Sequence, residues 1–500
     1  MAKKENFETI ENDTPLESFV PTDYSDVGQG ALLARAYGHC LCYCEGMGWL
    51  TYESGIWEQS DTAAQGYSQK LTYLQLQEAN ILLQSAYNSS RQSISNEKDY
   101  LTYANSRRSS ARIASALKEA IPLLSINTSD LDSDPLLLNT PDGEIHLDTG
   151  EMKPHESLHY ITHITNTSPS EEGSELWDNF ISQITCEDEE VADFLKQLAG
   201  MFAIGKVYEE RLIIAVGSGG NGKSTFFNAI LNILGDYAGT IRSELLIASN
   251  DSGKKFEYAR LRGKRFIIAE ELEEDKQLDT AAVKHLCSTG DINAQFKGKD
   301  IFTFKPSHST VLCTNHMPAV KSFDDGTWDR LIVVPFNGRF RNQETEIKNY
   351  GAYLVENCGG AILKWIIEGA QIYINNDYKL IIPEEIKTAV AQYRKDNDCL
   401  PDFFETCLCF DSTLSASGSE LYREYEDYCR LEGIKAQSSA VVLPRIAEQP
   451  GVKKTRNNRG TLYEGVGFGK PESLRIIEKR AGQCRDENSF DDLIDKILRA

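Results

Sequence analysis

Residues 217–225 read Gly-Ser-Gly-Gly-Asn-Gly-Lys-Ser-Thr, with the apolar run Leu-Ile-Ile-Ala-Val before them at 212–216 and Phe-Phe-Asn-Ala-Ile-Leu-Asn-Ile-Leu after them at 226–234. Gly217, a gap of four, then Gly222, Lys223 and Ser224 complete the pattern of a phosphate-binding loop. Each residue type has a task there. Gly217, Gly219, Gly220 and Gly222 let backbone N–H groups curl round phosphate oxygens, with Asn221 and Thr225 completing the turn. Lys223 reaches the β- and γ-phosphates, and the Ser224 hydroxyl is a Mg²⁺ ligand. The spacing predicts a strand over 212–216 and a helix ending at Gly235, so the helix N-terminus also faces the anion. This stretch makes the chain a nucleotide-binding α/β protein, and ATP with Mg²⁺ the expected ligands.

Three further apolar runs follow: RFIIAE at 265–270, STVLCT at 309–314 and RLIVVPF at 330–336. Short continuous apolar strands separated by helices are the mark of a buried parallel sheet. The second run delivers Glu270 and Glu271, one to hold Mg²⁺ through water and the other, Glu271, to activate the attacking water. A solvated acidic cap is the plainer explanation of the same EELEED stretch. The third run ends in Asn315, where a polar side chain could face the γ-phosphate or an ordinary turn. Arg330 precedes the fourth. In a ring it could reach a neighbouring subunit's nucleotide, and an ion pair with Asp329 is the alternative. Between Glu271 and Asn315, GDINAQFKGKDIFTFKP at 290–306 reads as a hairpin tipped by Lys297 and Lys299. Those lysines could touch a phosphate backbone or protect a sheet edge.

Charge divides the chain. The net charge is −23, which on its own argues against a protein that coats nucleic acid. Residues 1–28 hold seven acids and two bases, and residues 171–195 hold nine acids and no base. By contrast, residues 252–265 hold six bases against one acid, and residues 434–480 carry ten bases and four acids. The basic areas are where DNA would lie. In the last of them SELYREYEDYCRLEG has helical spacing, and VKKTRNNRGTLYEGV reads as two strands about a turn. Helices followed by a basic hairpin suggest a winged helix, with Lys453, Lys454, Arg456 and Arg459 towards DNA.

The remaining candidates carry less. Twelve cysteines without a secretory signal read as reduced thiols, and neither Cys40, Cys42, Cys44 nor Cys407, Cys409 has zinc spacing. His155, His159 and His163 lie in a β-branched, strand-like stretch and read as structural. No run approaches the roughly 20 apolar residues of a membrane span, so an intracellular, cytoplasmic protein without membrane contact is expected.

The order of loop, double acid, basic hairpin, strand-end Asn and late Arg resembles the superfamily 3 helicases. More narrowly, it resembles the helicase part of the phage and plasmid primase-helicase family, found also in large DNA viruses. The stretches that carry this are GSGGNGKSTFFNAI, YARLRGKRFIIAEELEE, VKHLCSTGDINAQFKGKDIFTFKP, VLCTNHMP and WDRLIVVPF. The resemblance implies a hexameric AAA+-like ring that hydrolyses ATP and translocates on single-stranded or forked DNA during phage, prophage or plasmid replication. Lys223 and Ser224 would match the first motif, Glu271 the acid, Asn315 the sensor, Arg330 the finger, and Lys284 a lysine ahead of the hairpin. The host would be a bacterium or a virus-infected cell. A separate polypeptide is expected to supply any primase or origin-binding function, because Asp130, Asp132 and Asp134 sit within the helicase-associated stretch.

The expected architecture is an acidic disordered tail at 1–28, an N-terminal α+β domain at 29–165 and an acidic linker and helix at 166–205. A P-loop AAA+-like ATPase core follows at 206–345, then a helical segment at 346–395 and a winged-helix domain at 396–500. The rival function is a replication initiator or packaging ATPase that remodels DNA without processive unwinding. A metabolic P-loop kinase leaves Arg330 and the basic C-terminal region without a role.

Overall fold

Five strands form one all-parallel sheet in the computed structural model. They are β1 (Leu212–Val216), β2 (Ala238–Arg242), β3 (Phe266–Glu270), β4 (Ser309–Thr314) and β5 (Leu331–Pro335), in the order β5-β1-β4-β3-β2. The structure describes residues 18–89, 93–247, 254–270, 272, 276–295, 301–320, 325–338, 340, 349–433, 436–457 and 460–468. The four apolar runs of the sequence supply four of the strands. The fifth, β2, is an edge strand in which only Ala238 and Ile241 are buried, so its sequence Ala-Gly-Thr-Ile-Arg carries no apolar run.

Register puts chemistry at one edge. Thr314 and Pro335 both pair with Val216, and Glu270 pairs with Cys313, so the carboxyl ends of β1, β3, β4 and β5 are level. Four helices pack on this sheet: α1 (Ser174–Ile184), α2 (Glu189–Ala203), α3 (Lys223–Leu234) and α4 (Tyr350–Asn375). The core they share includes Trp177, Phe180, Phe194, Phe202, Phe226, Phe227, Phe266 and Trp365. A side chain on Gly200 would sit 2.0 Å from Ala370 N, and one on Gly369 would sit 1.9 Å from Lys196 O, so α2 and α4 cross backbone to backbone. Only glycine permits that approach.

This packing corrects the linker part of the acidic linker and helix expected at 166–205, which is two core helices. Their acids lie on the outer faces of α1 and α2 and in the segments before each helix. The inner faces bury Trp177, Phe180, Ile181 and Ile184 from α1 and a nearly continuous run from Phe194 to Ala203 of α2. Amphipathic spacing, not charge density, decides where such a segment sits.

The N-terminal part is α+β as expected. Leu41–Cys44, Gly48–Glu53, Ile56–Gln59 and Ser125–Ile126 form a four-stranded sheet beside helices at Asp26–Tyr37, Asp61–Asn88, Ser95–Ser106 and Ser110–Leu124. The Gly48–Glu53 hairpin turns through Ser54 and Gly55, both at positive φ (52° and 85°), as a tight two-residue turn requires. The acidic tail is shorter than expected at its C-terminal end. Residues 1–17 lie outside the described residues, but Ser25 caps a helix from Asp26, whose carboxylate pairs with Arg107 and Arg112.

A three-stranded meander, Leu137–Thr140, Gly143–His146 and Glu151–Lys153, joins this part to the parallel sheet. Arg265, 3% exposed, donates to the carbonyls of Leu137 and Ala203 and lies 4.3 Å over the Tyr237 ring. The LHYITHIT stretch is not a strand. It forms a short 3₁₀ turn at Ser157–His159, and its later backbone groups bond to Trp57, Asp132 and Asn139. The three histidines are structural: His155 faces Asn139, His159 faces Glu144, and His163 faces Asp132 and stacks on Tyr237. Asp130, Asp132 and Asp134 serve separate partners, respectively the Asn127 amide, Thr162 with His163, and the Leu136 amide.

The chain divides into two compact units, residues 1–318 with 329–387, and residues 319–328 with 388–500. The second unit therefore begins earlier than residue 396 and takes in a loop from between β4 and β5. Trp328 packs edge-on against Tyr393, Asp325 pairs with Arg394, and Val320 N donates to Asn397, which explains why that loop belongs there. Three helices, Leu400–Cys407, Gly418–Glu432 and Ser439–Ala447, enclose a core of Phe403, Tyr425, Cys429, Val442, Ile446 and Tyr463. A three-stranded antiparallel sheet, in the order Ser415–Ser417, Gly460–Glu464, Lys453–Asn457, completes the unit. Ser417 and Glu420 form a capping box at the start of the second helix. Among the described residues no helix is long and apolar enough to cross a membrane, and no cluster of three His, Cys, Asp or Glu could hold a metal.

Candidate nucleotide site

The loop between β1 and α3 has the backbone its glycines allow. Gly219, Gly220 and Gly222 adopt φ of 88°, 68° and 84°, in the left-handed region. A side chain on Gly217 would collide with Asn221, and one on Gly222 would lie 2.3 Å from Ile184. Asn221 is buried and braces the turn: its Nδ2 donates to Phe336 O at 3.0 Å and its Oδ1 accepts from Lys223 N at 3.4 Å. Phe340 N donates to Gly220 O, so the segment after β5 also holds the loop. The twelve-residue helix α3 starts at Lys223, so its N-terminus adjoins the loop.

Lys223 is 4% exposed. Its Nζ donates to Thr314 O and to Asn315 Oδ1, the latter at 3.0 Å. The loop lysine and the strand-end asparagine are thus brought together across 92 positions of sequence. The strand order explains this, because β4 lies beside β1 and their ends are level. The backbone of Glu270 closes β3 on the other side of β4, while the side chain of Glu270 and all of Glu271 lie outside the described residues.

A cavity of about 790 Å³ opens beside the loop. Ser224 and Thr225 line it, with Phe180 and Gln183 of α1, Asn228 of α3, Phe340, and Tyr350 of α4. Phe180 and Tyr350 meet edge to face at 5.8 Å. Its volume, and its mix of aromatic walls with a few amides, suit a small-molecule ligand. Phe180 and Tyr350 match no motif, and 170 positions of sequence separate them.

Arg330 is not at this site. It precedes β5, at the amino edge of the sheet, and five residues of strand at ~3.3 Å each separate the two edges by roughly 16 Å. Its partner is not Asp329 but Glu210, with Nη2 2.6 Å from Oε2. The hairpin expected at 290–306 is present as Ile292–Gln295 paired antiparallel with Ile301–Phe304. Its tip, with Lys297 and Lys299, lies outside the described residues. In the second unit Lys453, Lys454 and Arg456 are exposed on one strand, and Arg459 lies outside the described residues.

Two family models match the chain. One described as D5 N terminal like covers residues 30–186, and one described as a family of unknown function (DUF5906) covers residues 215–330. An Acanthamoeba polyphaga mimivirus protein provisionally named a helicase is 29% identical over 42% of this chain and 23% of its own length. A provisionally named primase of African swine fever virus is 26% identical over 55% of this chain and 31% of its own length. Together these matches support a primase-helicase family of the D5-like type. A Frog virus 3 protein with a provisional helicase name is also similar to this D5-like chain, at 25% identity over 47% of it and 26% of the viral protein. The chain spans less than a third of the length of these curated relatives. A solved apo C-terminal region of NrS-1 is 13% identical over 61% of this D5-like chain and 78% of that one, at a TM-score of 0.40, too loose a likeness to add to the description.

Proposed function

We propose that this chain is an ATP-driven DNA helicase whose core is an AAA+-like phosphate-loop ATPase working as a ring, in the replication of phage, viral or plasmid DNA. The observation that carries the proposal is the Lys223–Asn315 contact beneath a loop of left-handed glycines at the carboxyl edge of a parallel sheet. The phosphates of ATP fit the loop amides and α3, and the base and sugar fit the adjoining cavity. Ser224, exposed at its mouth, with Glu270 acting through water, would hold Mg²⁺. Bound with the nucleotide, Mg²⁺ neutralises charge on the phosphate oxygens. Lys223 holds the β- and γ-phosphates, Asn315 orients Lys223 and the attacking water, and Glu271 accepts that water's proton.

Arg330 lies too far from its own loop to stabilise charge there. At an opposite edge it suits a neighbour's nucleotide, which supports a ring of identical subunits and a homo-hexamer in particular. The hairpin 292–304 and the second unit, read as a winged helix bearing Lys453, Lys454 and Arg456, would contact single-stranded or forked DNA at a few phosphates. Binding should therefore weaken steeply with salt.

ATP hydrolysis measured with and without single-stranded DNA, beside mass in the presence and absence of nucleotide, tests this reading. DNA-stimulated hydrolysis by a nucleotide-dependent oligomer is expected. A monomer whose hydrolysis ignores DNA would contradict it. Strand displacement on a forked substrate separates a helicase from an ATPase that only remodels.

A further inference from the structure

Glu210 joins two features that the sequence keeps 41 positions apart, Thr289 and Arg330. Its Oε2 accepts from Arg330 Nη2 at 2.6 Å, and its Oε1 accepts from Thr289 N at 3.1 Å and Thr289 Oγ1 at 3.3 Å. Thr289 stands just ahead of Ile292, the first residue of the basic hairpin, in the link from helix Thr280–Leu286. One carboxylate therefore holds the arginine at the rim of the sheet with one oxygen and the root of the hairpin with the other. Hydrogen bonding from Arg330 first, and from the Thr289 amide second, keeps the Glu210 carboxyl below its ordinary range, so it is ionised and charge-assisted in both contacts.

We infer that Glu210 is a positioning residue coupling Arg330 to the DNA-facing hairpin, an inference that rests on the ATPase reading above. The chemistry is competition. A nucleotide phosphate on the neighbouring subunit offers Arg330 a denser anion than a carboxylate, and bidentate phosphate pairing is among the strongest contacts an arginine makes. When Arg330 leaves, Glu210 loses its principal cation while still tied to Thr289, and the root of the hairpin is held differently. Coupling of this kind is reciprocal, so DNA that displaces the hairpin also changes how readily Arg330 is released. Glu210 is a short tether for this, because Leu212 N donates to Arg330 O at 2.7 Å and fixes the start of β1 against the start of β5. The backbone stays in place while the side chains exchange partners.

The test uses the full chain and three variants, Glu210→Ala, Glu210→Gln and Thr289→Val. Each is assayed for ATP hydrolysis with and without single-stranded oligodeoxythymidine and for its thermal midpoint. Glu210→Ala frees Arg330 and the hairpin from each other, so hydrolysis without DNA stays at or above the wild-type rate. The ratio of stimulated to unstimulated rate should fall by about fivefold or more, the low end of ordinary coupling. Glu210→Gln keeps an acceptor for Thr289 and loses the charge that holds Arg330, and should lower the ratio in the same direction, whereas Thr289→Val removes one hydroxyl contact and should lower it least. A merely structural role would reduce both rates in proportion and leave the ratio alone. A wild-type ratio in both Glu210 variants overturns the coupling while the ATPase reading stands. Absence of any hydrolysis by the wild-type chain overturns both.

Discussion

The two edges of the five-stranded sheet differ in how their residues are assembled. The carboxyl edge is built from consecutive residues, Gly217 to Thr225, joined by Asn315 from the adjacent strand. The amino edge gathers Glu210, Thr289, His308 and Arg330 from four separate segments, tied by one carboxylate and by burial. The first edge shapes its loop from backbone that only glycine can supply, so its sequence is nearly forced. The second relays contacts between side chains, and many residues could do that. A glycine loop is therefore readable as a motif, while a set of side-chain contacts becomes visible only in three dimensions.

The largest expected effect separates the edges by chemistry. Lys223→Ala removes the only cation held in the loop among the described residues, and ATP hydrolysis should fall by at least about 100-fold. Arg330→Ala should cost about 10³ in rate, yet leave nucleotide affinity within about twofold, because Arg330 lies at the far edge from its own loop. Equilibrium binding of a fluorescent ATP analogue beside steady-state hydrolysis distinguishes the two. Loss of nucleotide binding in Arg330→Ala would break the distinction between the edges.

Gly200→Ala attacks the scaffold beneath both edges. The new methyl would stand 2.0 Å from Ala370 N, so α2 and α4 must part, at a cost of about 3 kcal/mol or more. The thermal midpoint should drop by several degrees, with nucleotide and DNA readouts declining together. An unchanged midpoint would mean the helices do not cross as closely as described.

The smallest effect is confined to the amino edge. His308, 1% exposed just before β4, has its pKa pushed down to about 4 by burial. In the unfolded chain it titrates near ~6.5, so on acidification the unfolded state takes up the proton first and stability falls between those two values. From pH 7.5 to pH 5 this histidine alone should remove about 2 kcal/mol of stability. Urea unfolding at both pH values should show the loss in the wild type and a reduced loss in His308→Leu. Equal losses in the two proteins would assign the titration elsewhere.

Much of this architecture is legible in the chain because buried parallel strands and glycine loops leave little choice of residue. Leu212–Val216, Phe266–Glu270, Ser309–Thr314 and Leu331–Pro335 each carry a run of apolar residues, as burial on both faces demands. Elsewhere a surface property of the sequence does not report the architecture beneath it. The acids of 171–195 describe only the outer faces of α1 and α2, whose Trp177, Phe180 and Phe194 belong to the main core. The β-branched stretch around His159 and His163 has strand propensity, but bonds to Asp132 and Asn139 claim its backbone. Arg330 was legible as a special residue while its partner was not, because Glu210 looks like any acid in Tyr-Glu-Glu-Arg until β1 and β5 lie side by side. The aromatic walls of the cavity, Phe180 and Tyr350, have no sequence signal for the same reason.

The central claim is that the loop at one edge is completed by the arginine at the other edge of a second copy. The most direct measurement mixes the Lys223→Ala and Arg330→Ala proteins, each inactive alone, and records ATP hydrolysis. With random assembly roughly a quarter of interfaces join an intact loop to an intact arginine, and hydrolysis should return to about that share of the wild-type rate. A mixture as inactive as either variant alone would contradict a site shared between subunits.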